Sequence, residues 1–315
     1  MISVIIPTKN RREILFQCVG FLLDQYDIFS EHEFPLELIV INDGEESLND
    51  LIKKFPTIKV YQNKGNGVAS ARNYGASMAK NDTLFFMDDD MMIGRDAFEY
   101  AISFHAQHQN AVLNFNWVYP EHIDKELDST AFGRYLRFFQ FTSLKGMHKN
   151  TGVWSDDELF KVAHITSQNL SLSKDTFNQL DGYDESFPFA GFEDTDFANR
   201  MKEKSISMYI NPVIMTFHNE SDRLQLKNWL DRKYRGGVTR KVAALKGIDS
   251  ASLHYPFYKI FIFYLLMKIE TPILQLLNSR TLNRQGIWDA LSFRLINLLL
   301  ALNIYKGYTE NSILT

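Results

Sequence analysis

Thr83-Leu84-Phe85-Phe86-Met87-Asp88-Asp89-Asp90 is the stretch on which the reading of this chain turns. A short apolar run without polar alternation predicts a strand buried on both faces of a parallel sheet. The three acids that follow it directly then fall at the carboxyl end of that sheet, where open α/β folds bind ligands. If the segment stays extended, Asp88 and Asp90 project to one side and Asp89 to the other. The pair could then share a divalent cation, or divide between a metal and a sugar hydroxyl. Carboxylate oxygens suit Mg²⁺ or Mn²⁺, and such an ion would bind a diphosphate and stabilise it as a leaving group.

Working outward from Asp88, the same alternation of strand and helix recurs. Residues 2 to 7 form another short apolar run, which Pro7 is expected to end. Thr8 and Asn10 offer caps to a helix carrying Ile14, Leu15, Cys18, Val19, Leu22 and Leu23 at helical spacing. Strands follow at Leu36 to Ile41 and Ile58 to Tyr61, and helices at Leu48 to Phe55 and Ala69 to Lys80. In the last of these, Ala71, Gly75 and Ala79 lie four apart and permit close approach to the sheet. Repeated βαβ units with right-handed crossovers predict an α/β fold: a Rossmann-like three-layer sandwich with a mostly parallel central sheet. Gly65-Asn66-Gly67 reads as a turn before a helix.

Beyond Asp90 the pattern predicts a helix at Asp96 to Gln107 and a strand at Ala111 to Phe115. A polar and aromatic excursion over 117 to 160 is a place for acceptor specificity. Strand-like Ile165 to Leu172, a helix at Lys174 to Leu180, a helix starting near Asp194, and strands at Ser207 to Ile210 and Val213 to Phe217 complete a first domain, residues 1–222. Asn42-Asp43-Gly44 ends the second strand at the same sheet edge as Asp88. Glu193 and Asp194 open a helix, where acids complement the dipole or divide between holding an acceptor and removing its proton. His218 follows a strand and reads as a core histidine or a metal ligand.

The balance of the chain narrows the classes available. Its 315 residues are enough for two domains, and 45% hydrophobic with 23% charged residues is the balance of a folded globular chain. A net charge of −4 and no long basic run leave no electrostatic footprint for nucleic acid. The single cysteine, Cys18, excludes an intrachain disulfide framework and fits a reducing, cytoplasmic compartment. MISVIIPTKNRR lacks the marks of a secretory signal.

Taken in order, Pro7-Thr8-Lys9-Asn10, Asn42-Asp43-Gly44, Gly67-x4-Arg72-Asn73-x-Gly75, Met87-Asp88-Asp89-Asp90, Gly182-Tyr183-Asp184-Glu185 and Gly191-x-Glu193-Asp194-x-Asp196 resemble the family 2 glycosyltransferases of the GT-A fold. The resemblance covers residues 2 to about 220. It implies an inverting, metal-dependent transfer of a sugar from a nucleoside diphosphate donor, a UDP-sugar, to a glycan or lipid-linked acceptor, as in cell-envelope polysaccharide synthesis. It implies that Thr8, Asp43, Arg72, Asp88 and Asp89 meet the donor, with Asp43 on the base and Asp88 and Asp90 forming the DxD motif. Asp90 and His218 would hold Mn²⁺ or Mg²⁺, Asp194 would be the catalytic base, Glu193 would orient the acceptor, and Asn169 would lie near a sugar. Glu45-Glu46-Ser47 and Phe192 depart from the family's usual residues and bear on donor identity and acceptor fit. A sugar-phosphate nucleotidyltransferase would share the sheet and the acids, yet Lys9-Asn10-Arg11-Arg12 lacks its glycine-rich loop. A silent carbohydrate-binding protein of this fold would not need Asp88, Asp90 and Asp194 together.

Residues 223–315 read as a separate helical region. Phe257 to Leu277 and Leu295 to Tyr305 are apolar, but Lys259, Lys268, Glu270 and Pro272 interrupt the first, so neither reads as a membrane span. Either these helices bury their aromatics against the catalytic domain or a second subunit, or they associate peripherally with the inner face of a membrane, basic groups toward anionic lipid.

Overall fold

The computed structural model describes residues 1–25, 36–148, 154–221, 224–279 and 286–310. Its elements run β1 (Ile2–Thr8), α1 (Arg12–Asp24), β2 (Leu36–Asn42), α2 (Asn49–Lys54), β3 (Lys59–Gln62), α3 (Val68–Met78), β4 (Thr83–Met87), β5 (Met91–Met92), α4 (Arg95–Gln107) and β6 (Ala111–Val118). There follow α5 (Glu121–Leu127), α6 (Ala131–Phe138), α7 (Leu144–Met147), β7 (Phe160–Lys161), β8 (Asn169–Ser173), α8 (Lys174–Gln179), α9 (Glu193–Glu203), β9 (Ser207–His218), α10 (Leu226–Leu245), α11 (Phe257–Leu277) and α12 (Asp289–Thr309). Two compact units emerge: 1–119, 143–186 and 193–219 in one, and 120–142, 187–192 and 220–315 in the other. The expected boundary at 222 and residues 149–153 of the excursion lie outside the described residues.

In the first unit one sheet runs β3-β2-β1-β4-β8-β6-β9-β5, with β7 added alongside β9. The pairs β1–β2, β1–β4, β2–β3 and β6–β9 are parallel, and β8 runs antiparallel between β4 and β6. Both faces of the sheet are covered, as the continuous apolar strands require. Ile5, Ile39, Ile41, Leu84 and Phe86 share one face with α3, α8 and α9 through Ala71, Phe177 and Phe197. On the other face the Phe85 ring meets Phe98 of α4 at 4.9 Å between centroids. Gly75 lets α3 lie on the sheet: a Cβ there would come within 2.3 Å of Ile5 Cγ2.

Several local expectations give way to pairing. Pro7 does not end β1, which continues to Thr8. The Thr8 carbonyl accepts from Asp43 N at 2.7 Å, so Pro7 faces the opposite side, where pairing with β4 stops at Ile5 and no N–H is needed. Neither Thr8 nor Asn10 caps α1, which has no side-chain cap. Thr8 is drawn instead to Asp89, and Asn10 adopts positive φ and accepts from Glu45 N. The two strands expected over 207–217 are one strand, shifted in register at Phe115/Asn116, with Asn211 Oδ1 accepting from both Val213 N and Ile214 N across the irregularity.

The second unit is helical. α10 and α12 cross backbone to backbone: a Cβ on Gly237 would sit 2.3 Å from the Ile304 carbonyl, and one on Gly307 would strike that of Tyr234. α6 is tied to α12 by the Arg134–Asp289 ion pair at 2.8 Å and by Tyr135 OH donating to Asn297 Oδ1 at 2.7 Å.

His105 of α4 is buried and Nε2 lies 2.9 Å from Ser171 Oγ of β8, so the fold holds it neutral. Burial lowers its pKa from 6.5 to about 4. The unfolded chain therefore binds the extra proton first, and stability should fall as pH drops from about 6.5 to 4, by roughly 3 kcal/mol for this group alone. Urea melts of wild type and His105→Gln across that window should show a shallower pH dependence in the variant; identical slopes would exclude His105 as the cause.

Candidate active site

The acidic triplet does not stay extended. Met91 N donates to Asp88 O at 3.1 Å, closing a turn, and β5 then pairs antiparallel with β9. The alternation expected of a strand is lost, and the three carboxylates diverge otherwise than expected. Asp88 turns toward α3, where Arg72 Nη2 donates to its Oδ1 at 3.0 Å. Asp89 is buried, with Oδ2 taken by Thr8 Oγ1 at 2.6 Å and Oδ1 by Arg11. Asp90 shares the same Arg11 nitrogen through Oδ2 at 2.8 Å.

The β5–β9 register sets Met91 opposite His218, and Asn219 N donates to Asp90 O at 2.7 Å. Those contacts bring His218 Nε2 to 3.2 Å from Asp90 Oδ1, both groups being buried. Burial opposes ionisation of Asp90, but His218 and Arg11 outweigh it and hold the carboxyl well below the usual range. A divalent ion is implied by the family pattern, and the donor set fits one: a carboxylate oxygen and an imidazole nitrogen at about the separation of neighbouring corners of an octahedron with ~2.1 Å bonds. Among the described residues no third His, Cys, Asp or Glu joins them. Further ligands would be diphosphate oxygens and water, as is usual for ions that act on phosphates.

Arg72 links the triplet to the second acidic cluster. Its Nη1 donates to Glu193 Oε1 at 3.2 Å and lies 3.9 Å from Asp194 Oδ1 at the start of α9. Glu193 is buried, with 2% of its side chain exposed, and is engaged with Arg72, whereas Asp194 is 23% open. Ser167 grips both Asp194 oxygens: its N donates to Oδ2 at 3.2 Å and its hydroxyl bonds Oδ1. Tyr183 OH sits 2.6 Å from the same hydroxyl, and its ring lies under the Arg72 guanidinium at 5.3 Å. Burial pushes the Asp194 carboxyl up against the pull of Arg72 and Ser167. In the ion pairs seen among the described residues, Asp88, Asp89, Asp90, Glu193 and Asp194 gather around Arg11 and Arg72, a concentration of carboxylates that favours a cation.

Asp43 stands at the end of β2. Its Oδ1 accepts from Asn63 Nδ2 at 2.7 Å and from Gly67 N at 3.0 Å, and its Oδ2 pairs with Lys9 at 3.0 Å. The Gly65-Asn66-Gly67 segment is thus a turn pinned by a carboxylate, with Gly67 at φ 88°. Asn169 is fully buried in β8, where its amide donates to Phe115 O at 2.9 Å and Thr216 Oγ1 at 3.1 Å. Sequence reasoning passed over Arg11, Ser167 and Tyr183. Arg11 carried a signal, a basic residue just past a strand end in a chain with clustered acids; Ser167 carried none.

The family model for glycosyl transferase family 2 matches residues 3–165, just over half of the chain. The chain belongs to glycosyl transferase family 2. A second family model, described as the N-terminal domain of galactosyltransferase, matches residues 158–221 of this family 2 member and takes in β8, α9 and β9. The minor teichoic acid biosynthesis protein GgaB of Bacillus subtilis is 31% identical over 116 residues, 35% of this chain and 12% of that protein. The chain spans about half or less of the length of the first curated relatives it matches. Two solved structures share the fold. One is GalNAc-T7 with UDP, GalNAc and Mn²⁺ (TM-score 0.52, 14% identity, covering 69% of this chain and 43% of that one). The other is the mannosyltransferase PcManGT of Pyrobaculum calidifontis with GDP-Man and Mn²⁺ (TM-score 0.51, 12% identity, 95% and 74%). The fold is that of the GT-A glycosyltransferases.

Because Ser167 donates to both oxygens of Asp194, it favours the ionised carboxylate. Ser167→Ala should therefore raise the Asp194 pKa, and Ser167→Thr should largely preserve it. Carboxyl ¹³C titration of the unliganded protein measures this directly; a midpoint unchanged in Ser167→Ala would show that the Ser167 hydroxyl does not set it.

Proposed function

We propose that the protein transfers a sugar from a nucleoside diphosphate donor, a UDP-sugar, to a hydroxyl of a glycan or lipid-linked glycan of the cell envelope, with inversion at the anomeric carbon. The observation that carries the reading is the meeting of Asp90 and His218 at the carboxyl edge of the sheet, beside an excess of carboxylates and one turn of chain from Asp88. Mn²⁺ bound beside nucleotides or nucleotide sugars in the structural neighbours, and the teichoic acid pathway of a relative, support it.

Asp90 and His218 would hold the divalent ion, which when bound supplies positive charge to the diphosphate leaving group. Asp43, with Asn63, Gly67 and Lys9 gathered round it, forms the polar floor on which the base would sit. Asp194 is the general base: partly open, and held by Ser167 so that its free lone pairs have a fixed direction. As the C1–O bond to the diphosphate breaks, the acceptor oxygen bonds to C1 from the opposite face and its proton passes to Asp194. Arg72 keeps Asp88, Glu193 and Asp194 together in low dielectric, so Glu193 acts through Arg72 rather than by touching the acceptor. The single, buried Cys18 agrees with a cytoplasmic setting.

Release of nucleoside diphosphate from a panel of nucleotide sugars tests the reading. Asp194→Asn should lower kcat by about 10²- to 10⁴-fold with little change in donor affinity. Asp90→Ala or chelation should abolish donor-induced thermal stabilisation as well as turnover. Full activity in EDTA would remove the metal from the proposal, and a small loss in Asp194→Asn would move the base elsewhere.

A further inference from the structure

Among the described elements of the second unit, α11 carries the most exposed large apolar side chains. This 21-residue helix is long and apolar enough to cross a membrane, and it runs unbroken through Pro272. One stripe faces inward: Phe263, Leu266, Ile273 and Leu277 are buried. On the same side Glu270 accepts from Asn303 Nδ2 of α12 at 3.1 Å and pairs with Lys306. The rest of the circumference is open. Tyr258, Ile262, Leu265, Ile269 and Leu276 recur at spacings of three, four and seven along one flank, at 42–61% exposure. Ile260 and Met267, also exposed, lie on the opposite flank, so one further helix packed against α11 could not cover both.

We propose that α11 lies embedded in the face of a lipid bilayer as a monotopic apolar anchor. A helix apolar on most sides and not buried in protein belongs in hydrocarbon, whereas a helix held by charge alone carries one wide polar face. The Glu270–Lys306–Asn303 contacts fasten α11 along α12, which is itself locked to α10 at Gly237 and Gly307, so α11 is presented lengthwise rather than as a freestanding span. Phe257, 84% exposed, and Tyr258 at its start place aromatic rings where membrane interfaces accommodate them. Lys268, over the Tyr264 ring at 4.7 Å, offers a cation to lipid phosphates while its stem stays on apolar surface. A second copy of the chain is the competing occupant, and it would leave one of the two flanks uncovered.

Flotation of the full chain with vesicles of phosphatidylcholine, alone and mixed with phosphatidylglycerol, decides it. Wild type should float with both and stay bound in roughly 1 M salt, because buried apolar area is not screened. The double variant Leu265→Glu/Ile269→Glu should reduce vesicle-bound protein by about tenfold or more with an unchanged melting temperature, since both positions are already open to water. Binding only to anionic vesicles with release by salt, or undiminished flotation of the double variant, would overturn the anchor. So would failure to float combined with a lipid-free dimer that the double variant dissociates, an outcome that assigns the surface to a second copy.

Discussion

A buried guanidinium holds the candidate active site together. Arg72, rising from α3 into the space between Asp88, Glu193 and Asp194, contacts all three carboxylates. Three carboxylates this close in low dielectric would otherwise repel one another or take up protons. Removing the cation from such a cluster leaves uncompensated buried charge at a cost of about 3–5 kcal/mol. Arg72 can stand there because α3 lies flat on β1 and β2, and α3 lies flat because position 75 is glycine. A packing constraint among small residues thus sets where the charge of the site resides. Arg11 performs the same service on the other side, neutralising Asp89 and Asp90 together and leaving Asp90 Oδ1 turned to His218.

The elements that pack on both faces of the sheet were legible in the sequence, because burial writes itself into short apolar runs. Thr83–Met87 reads as a strand and is one, and the α/β class follows from its neighbours. What stayed hidden depends on partners distant in sequence. Nothing local to Met91 and Met92 signals that two residues will pair with β9, yet that pairing, with the Met91–Asp88 turn and the Asn219–Asp90 bond, brings His218 to Asp90. Thr8 and Asn10 have the chemistry of caps, but Asp89 and the Glu45 amide compete for them and prevail. Asn169 shows the same pull of distant partners: its amide, in a strand flanked by two others, bonds the Phe115 carbonyl and the Thr216 hydroxyl. Ser167 has no signature, since a hydroxyl acquires meaning only from the carboxylate it faces.

The two units solve the burial of apolar surface differently, and the contrast bears on what each does. In the first, sheet and helices bury the central strands β1, β4 and β8 almost completely, while β9 leaves Val213, Met215 and Phe217 open. In the second, α10 and α12 approach so closely that glycines meet backbone at the crossing, which binds those two helices firmly to each other. α11 contributes only one stripe to that packing. Covering its remaining flanks with protein would require partners on both sides, whereas its one inward acid is already satisfied by Lys306 and Asn303. A sequence selected only for solubility would have placed charge at Leu265 or Ile269, where either would be tolerated at little cost in stability. Their apolar character at positions that the fold leaves open adds nothing to the core, which Phe263, Leu266, Ile273 and Leu277 already supply on the inward stripe.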